Sequence, residues 1–327
     1  MNELSYVSPR WLPGGHAQTI WPVTIKGKLP DYRRERWATP DGDFIDLDWV
    51  NSTGEAKHVP TVCLFHGLEG SSSSHYARHL MRLVGERGWR GVVVHFRGCS
   101  GEPNQLPRAY HSGDSGEIDW ILRRLAGTRT SPVLAVGVSL GGNALLKWLA
   151  EQGDAAGRVI CAAAAVSAPH DLAAASQALA KGINRIYTRH FLKTLIPRAL
   201  EKARRFPGLL DTGRLHGLST LTEYDDCVTA PLHGFRSAAD YYSRSSAKPL
   251  LKAVRTPVLV INAANDPFLP AKFLPSAAQV ADSVHLEIHG HGGHAGFVSG
   301  ALPGRLDWLP QRVLRWFDGT LPHDMVS

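Results

Sequence analysis

The chain has 327 residues, of which 43% are hydrophobic and 20% are charged. This composition is typical of a globular protein, long enough for one large α/β core with an insertion or for two modest domains. Lysine and arginine outnumber aspartate and glutamate by 36 to 29, so the formal net charge is +7. Because no zinc-finger spacing, RNA-binding aromatic motif or long basic run accompanies this charge, we expect no nucleic-acid partner.

The four cysteines, at positions 63, 99, 161 and 227, lie far apart and form no CxxC pair. Cys63 and Cys161 fall in apolar runs, so we expect reduced thiols rather than a disulfide framework. The N-terminus lacks the charged and apolar regions of a secretory signal. No stretch approaches the roughly 20 apolar residues of a spanning helix. These features predict a cytoplasmic protein, soluble or at most peripheral to a membrane.

Short β-rich runs alternate with helical patterns along the first half of the chain, which predicts a mostly parallel sheet with helices on both faces. Residues 34–38 and 44–50 are expected to form an antiparallel opening pair, because Pro40-Asp41-Gly42 between them favours a turn. Further strands are predicted at residues 61–65, 91–96, 133–137 and 159–167. Helices are predicted between them at residues 75–87, 117–125 and 140–152.

The alternation stops between residues 169 and 253, where helical patterns at 172–189 and 191–205 occur without a clear strand. It resumes with strands at 257–262 and 284–288, a helix around 275–281 and a closing helix at 308–317. We therefore predict one domain over residues 1–327 with a helical insertion at 169–253. An insertion between two sheet strands lies where a cap would cover an active site.

Residues 137–141, Gly-Val-Ser-Leu-Gly, match the pattern G-x-S-x-G between a buried strand and a helix. In such a turn a side chain at Gly137 or Gly141 would clash, and the Ser139 hydroxyl is lifted clear of the sheet. This context predicts Ser139 as a nucleophile. The alternative is a serine that only caps the helix, and the flanking strand and helix make it the weaker interpretation.

A nucleophilic serine needs two N–H donors for the oxyanion, one after the nucleophile and one after an earlier strand. Residues 66–70, His-Gly-Leu-Glu-Gly, follow the third predicted strand directly. We therefore predict that the backbone amides of Leu68 and Leu140 form the oxyanion hole. The alternative is that His66-Gly67 only ends the strand.

The acid and the base are expected after the serine, in the chain order Ser, Asp, His. Asp266 follows the penultimate predicted strand, at the same sheet edge as Ser139. His294 ends the segment His-Gly-His-Gly-Gly-His, whose glycines let the loop reach back over the serine. His289 and His291 are weaker alternatives for the base. The other acids considered for the orienting role are Asp114, Glu117, Asp171, Asp225 and Asp226.

The spacing His289-x-His291-x-x-His294 is also a metal-ligand spacing, similar to the HxHxDH motif of metallo-β-lactamases. In that fold the motif comes early and further ligands follow it. Here only His323 and Asp318 or Asp324 remain, near the end of the chain. We therefore expect no metal and no cofactor.

Six segments together resemble the YheT-like branch of the α/β-hydrolases, which includes ABHD-type lipases and esterases. They lie at residues 13–19 (Pro-Gly-Gly-His-Ala-Gln-Thr), 66–70, 96–101, 137–143, 265–267 and 292–297. The resemblance implies an α/β-hydrolase fold with a mostly parallel eight-stranded sheet and a helical cap. It also implies carboxylic-ester hydrolysis, with Ser139, Asp266 and His294 at the family's triad positions.

The sequence therefore predicts a serine hydrolase that acts on short- to medium-chain or lipid-like esters. A thioesterase, amidase or acyltransferase using the same residues is an alternative, as is an inactive binding module of the same fold. The insertion also carries basic residues beside apolar ones, so weak contact with a membrane is considered against a solvated basic face. The basic residues are Lys181, Arg185, Arg189, Arg198, Lys202, Arg204 and Arg205.

Overall fold

The computed structural model describes residues 5–25, 27–51, 59–127 and 131–321. These residues form one sheet of eight strands, in the order β1-β2-β4-β3-β5-β6-β7-β8. The strands are β1 (Arg33–Ala38), β2 (Phe44–Val50), β3 (Thr61–Phe65), β4 (Arg90–His95), β5 (Val133–Val138), β6 (Ala162–Val166), β7 (Val258–Ala263) and β8 (Val284–His289). Strand β2 pairs antiparallel with β1 and with β4, and the remaining pairs are parallel. The predicted mostly parallel eight-stranded sheet is confirmed.

Helices cover both faces of this sheet, as predicted. The α-helices of the described residues are α1 (Gly15–Thr24), α2 (His75–Glu86), α3 (Ser115–Gly127), α4 (Leu140–Gln152), α5 (Leu172–Leu179), α6 (Arg185–Arg205), α7 (Thr212–Leu215), α8 (Leu221–Tyr224), α9 (Ala230–His233), α10 (Ala238–Ser245) and α11 (Trp308–Thr320). Helices α3 and α4 pack on one face through residues such as Ile121 and Trp148. Helices α2 and α11 pack on the other through residues such as Met81 and Phe317.

Two local predictions were wrong, and one helix was not predicted. The helix expected over residues 172–189 is interrupted after α5, where Gly182 adopts φ +53° before α6 begins. The helix expected around residues 275–281 is only a 3₁₀ turn, Ala277–Gln279. Helix α1 was not predicted, because its apolar residues do not follow a clear helical period.

Residues 169–253 lie between β6 and β7 and contain helices α5 to α10, with no strand among them. A single turn of π-helix, Asp225–Thr229, follows α8. The C-terminal half of α6 contacts the loop that follows β4: Lys202 Nζ donates to Asn104 Oδ1 at 3.0 Å, and Arg205 donates to Asn104 O at 2.7 Å. Among the described residues, no helix is both long and apolar enough to cross a membrane.

Candidate active site

Ser139 occupies the turn between β5 and α4. Its backbone angles, φ 54° and ψ −118°, are ones that residues other than glycine rarely adopt. The two glycines of the motif allow this turn. A Cβ on Gly137 would lie 2.5 Å from Gly141 O, and a Cβ on Gly141 would lie 2.4 Å from Phe65 O. The backbone therefore holds Ser139 at the carboxyl ends of the parallel strands.

The structure brings the three predicted side chains together from the loops after β5, β7 and β8. His294 Nε2 lies 2.9 Å from Ser139 Oγ, and His294 Nδ1 lies 2.8 Å from Asp266 Oδ2. Because a carboxylate only accepts, His294 Nδ1 carries the hydrogen and Nε2 is left to accept the serine hydroxyl. The imidazole can thus take the proton of Ser139.

Little water reaches the acid and the base. The Asp266 side chain is 1% exposed and that of His294 is 12% exposed. The second carboxylate oxygen of Asp266 accepts from Phe268 N–H at 2.8 Å. The Phe268 ring stacks on the His294 ring, with centroids 3.9 Å apart and planes 19° apart. The carboxylate and the imidazole are therefore held in one orientation before any substrate binds.

The two predicted oxyanion donors lie beside Ser139. A Cβ on Gly67 would lie only 3.0 Å from Ser139 Cβ, so the loop carrying Leu68 touches the serine. Tyr76 and Tyr110 hydroxyls accept the N–H groups on either side of Leu68, from Gly67 and Glu69, both at 2.9 Å. Among the described residues, the N–H groups of Leu68 and Leu140 donate to no protein group. Neither N–H group is therefore occupied by a contact within the described fold.

His66 organises this loop from inside the protein. Its Nε2 accepts from Phe96 N–H at 3.1 Å, so Nδ1 carries the hydrogen and donates to Gly67 O at 2.7 Å. Burial lowers the pKa of His66 to about 3, which keeps the ring neutral. The segment His66-Gly67 thus ends the strand and also orients the loop that contains Leu68.

The other acids considered for the orienting role make different contacts. Asp171 caps α5 by accepting from Ala174 N–H. Asp225 accepts from the hydroxyls of Thr229 and Tyr242. The remaining pairs are Asp226 with Arg214, Asp114 with Arg108, and Glu117 with Arg97. None of these contacts is with His294.

The three histidines of the 289–294 segment do not converge. His289 packs edge-on against Trp308, with ring centroids 5.0 Å apart, and His291 Nδ1 lies 3.4 Å from the Asn265 amide. Asp318 pairs with Arg87. Within the described ranges, no group of three histidine, cysteine, aspartate or glutamate side chains could hold a metal ion. His323 and Asp324 lie outside the described residues.

A cavity of about 150 Å³ adjoins Ser139 beneath the helices of residues 169–253. Its wall is mostly apolar, with Leu172, Leu179 and Leu195 among the lining side chains. Polar groups of Asp225 and His233 line it as well. A wider groove of about 840 Å³ along α5 and α10 does not include Ser139. The smaller cavity is therefore the one that a substrate of Ser139 would enter.

Several residues of the site were not identified from the sequence. The tyrosines that fix the Leu68 loop and the phenylalanine that covers His294 carry no motif of their own. Helix α1 contacts the His294 loop through Gln18 and Thr19. In the sequence, Gln18 and Thr19 belong to the segment at 13–19 that resembles the YheT-like family. That resemblance did not indicate what the two residues do.

Comparison with known proteins identifies the family of the chain. The family model described as "alpha/beta hydrolase fold" matches residues 60–301. The chain is 40% identical to "Putative esterase YheT" of Escherichia coli (strain K12), over 96% of this chain and 94% of that protein. It is 33% identical to "Phospholipase ABHD3" of Homo sapiens, over 96% of this chain and 78% of that protein.

Solved structures share the fold at low sequence identity. The Pyrococcus furiosus esterase Pf2001 superposes with a TM-score of 0.55 and 14% identity, covering 89% of this chain and 93% of that one. Mouse alpha/beta hydrolase domain-containing protein 10 superposes with a TM-score of 0.56 and 13% identity, covering 88% and 99%. From its sequence relatives and its sheet, the chain belongs to the α/β-hydrolase family, in the YheT-like branch.

Proposed function

We propose that this chain is a serine hydrolase of the carboxylesterase type, with Ser139 as nucleophile, His294 as base and Asp266 as orienting acid. The observation that carries the proposal is the continuous pair of contacts from Asp266 Oδ2 through the imidazole to Ser139 Oγ, at 2.8 and 2.9 Å. Relatives named as an esterase and as a phospholipase support ester cleavage.

The reaction proceeds in two steps. His294 Nε2 takes the hydroxyl proton as Ser139 Oγ attacks the ester carbonyl, and the amides of Leu68 and Leu140 stabilise the oxyanion. The protonated imidazole then gives its proton to the leaving alcohol, which leaves an acyl-serine. A water molecule then gives a proton to the same imidazole as it attacks the acyl carbonyl, and the imidazole returns that proton to Ser139 Oγ as the acid leaves. Asp266 stabilises the imidazolium in both steps, and the scheme uses neither a metal nor a cofactor.

The cavity favours substrates with a short- to medium-chain acyl group, or lipid-like esters of which one part enters the cavity. Its volume of about 150 Å³ is small and its wall is mostly apolar. Apolar burial would therefore supply most of the binding free energy. The small-molecule ester is the only partner that this site requires.

Another acyl-transfer reaction on the same three residues is the alternative. A thioesterase or amidase would cleave thioesters or amides faster than matched esters, and an acyltransferase would give products that depend on the added acceptor. An inactive binding module of the same fold is less well supported, because all three side chains are present at bonding distance.

Weak contact with an anionic membrane surface is a second proposal, and the 3₁₀ turn Gly182–Asn184 together with the first turn of α6 carries it. Ile183 and Ile186 are 58% and 54% exposed, and the exposed cations Lys181, Arg185 and Arg189 flank them. Arg198, Lys202 and Arg205 face the protein body instead. An exposed apolar pair flanked in sequence by exposed cations can bind an anionic lipid surface.

We also propose a cytoplasmic location, in keeping with four free cysteines.

The test is hydrolysis of p-nitrophenyl esters from acetyl to palmitoyl, comparing the wild type with Ser139→Ala. We expect turnover that Ser139→Ala abolishes, with an optimum at short or medium acyl length set by the cavity. A wild type that folds but cleaves no ester in the series, while cleaving thioesters or amides, would replace the proposed reaction with the alternative one.

A further inference from the structure

The loop that carries His294 is held by an unusual set of contacts. Its residues 292–295 contribute four consecutive backbone N–H groups, and each donates to a side-chain oxygen rather than to another backbone group. In chain order the acceptors are Gln18 Oε1 at 2.8 Å, Asn265 Oδ1 at 3.1 Å, Thr19 Oγ1 at 2.9 Å and Ser167 Oγ at 3.0 Å.

Helix α1 supplies two of these four acceptors, and the amide of Gln18 is itself fully bonded. Gln18 is 1% exposed, and its Nε2 donates to Ser8 Oγ at 2.7 Å and to Leu12 O at 2.9 Å. Its Oε1 also accepts from Asn265 Nδ2 at 2.9 Å. Because Asn265 precedes Asp266, this amide pair ties the loop of the acid to the loop of the base.

The backbones of α1 and the histidine loop approach so closely that only glycine fits between them. A Cβ on Gly293 would lie 2.6 Å from the carbonyl carbon of Gln18, and one on Gly296 would lie 2.1 Å from Gln18 O. Gly293 also adopts φ +62°. Glycines give a loop many conformations in isolation, so its single conformation here has to come from contacts outside it.

We propose that Gln18 and Thr19 are positioning residues for the reaction at Ser139. By accepting the N–H groups of residues 292 and 294, they place the loop backbone so that the His294 ring spans the distance between Asp266 and Ser139. The proposal rests on the proposed function and assigns a role to the segment Pro13–Thr19, which the mechanism does not otherwise use. Neither side chain contacts the reacting atoms: Thr19 acts through His294, and Gln18 acts through the loops that carry His294 and Asp266.

Thr19→Val and Thr19→Ser form the matched pair that tests this role. Valine keeps the shape of threonine but removes the oxygen that accepts from His294 N–H, whereas serine keeps that oxygen. With concentrations normalised by active-site titration, we expect Thr19→Val to lower kcat by roughly 10- to 100-fold, because small misplacements of a base are costly. KM should change by less than about twofold, and Thr19→Ser should recover most of kcat.

The measurement separates positioning from folding and from the proposed function. A Thr19→Val protein that melts at a lower temperature but keeps wild-type kcat below its transition would overturn the positioning role. So would a Thr19→Ser protein as slow as Thr19→Val. If Thr19→Val does not fold, Gln18→Met, which removes the acceptor of the Gly292 N–H, tests the same positioning role by the same kcat and KM measurements. If the wild type itself shows no Ser139-dependent turnover, the proposed function fails instead.

Discussion

In the proposed mechanism three side chains move or stabilise the proton, and Asp266 is the one whose chemistry can be changed with the least change in shape. Asp266→Asn would place an N–H donor or a weaker acceptor opposite His294 Nδ1 and so favour the wrong tautomer. We expect kcat for a p-nitrophenyl ester to fall by about 10³- to 10⁴-fold. The melting temperature should stay close to that of the wild type, because the side chains have the same size.

Asp171→Asn is the matched control for that prediction. Asp171 caps α5 and makes no contact with His294, so its replacement should leave kcat nearly unchanged. Normal turnover in Asp266→Asn, with a loss in Asp171→Asn, would assign the orienting role to Asp171.

The site residues that could be predicted from the sequence are those fixed by their order along the chain and by their position after a predicted strand. Ser139, Asp266 and His294 each follow a strand that was predicted from the sequence, and parallel strands bring their carboxyl ends to one edge. Tyr76, Tyr110 and Phe268 could not be identified in this way. Their roles depend on tertiary contacts, such as that of the Tyr110 hydroxyl with Glu69 N–H across 41 positions, and no local pattern encodes these contacts.

The π-helical turn in the insertion contains a carboxyl at the wall of the cavity, that of Asp225, whose ionisation is costly. Burial raises the pKa of Asp225 to about 6, whereas in the unfolded chain it is about 4. Between these values the folded protein keeps a proton that the unfolded chain has released, so this group lowers stability as pH rises from 4 to 6. Asp225→Asn removes the cost and keeps a side chain that can bond with Thr229 and Tyr242.

We therefore expect the free energy of unfolding of Asp225→Asn, relative to the wild type, to rise between pH 4.5 and pH 7. The expected gain is on the order of 1–3 kcal/mol. Urea unfolding at both pH values measures it. A difference between the two proteins that stays constant over this range would show that Asp225 does not titrate there.

Membrane contact is tested at the 3₁₀ turn Gly182–Asn184 and the first turn of α6, which carry Ile183 and Ile186. Wild-type protein should sediment with vesicles containing phosphatidylglycerol more than with pure phosphatidylcholine, and salt should weaken the association. Ile183→Asp with Ile186→Asp should abolish it while leaving cleavage of a water-soluble ester intact. Sedimentation that is equal for both vesicle types, or absent from both, would contradict membrane contact and show that this basic surface is only solvated.

Elements were predicted well where an apolar run had the length of a strand, as for the central strands β3 to β5. The α1 helix was missed because its buried side, Gln18, Thr19 and Pro22, is polar or conformationally restricted rather than apolar. It meets the His294 loop through hydrogen bonds and packs only a few partly buried apolar side chains, such as Trp21, against a small cluster. Hydrophobic periodicity therefore carries little signal for it. The antiparallel pairing of β2 with β4 likewise depends on contacts between distant strands.

Across the whole molecule, one buried cation joins three parts of the fold. Arg97 is 4% exposed and donates to Glu117 in α3 at 2.7 Å and to Asp41 in the β1–β2 turn at 2.9 Å. Arg97→Met would leave the buried carboxylate of Glu117 without this partner. We expect unfolding free energy to fall by about 3–5 kcal/mol, because an uncompensated buried charge is costly.

Arg123→Met is the control for this loss, because Arg123 pairs with Asp119 on the surface of α3 with its side chain 49% exposed. Its replacement should cost less than about 1 kcal/mol. Equal urea midpoints for the two variants would mean that the Arg97 network adds nothing to the stability of the whole fold.

Covalent labelling by a fluorophosphonate, located by peptide mass mapping, tests the central claim most directly. The wild type should gain one adduct, on the peptide containing Ser139. Ser139→Ala should gain none, while replacement of the exposed Ser73 by alanine should leave labelling unchanged. A folded wild type that takes up no label, or an adduct that persists in Ser139→Ala, would contradict the assignment of Ser139 as the nucleophile.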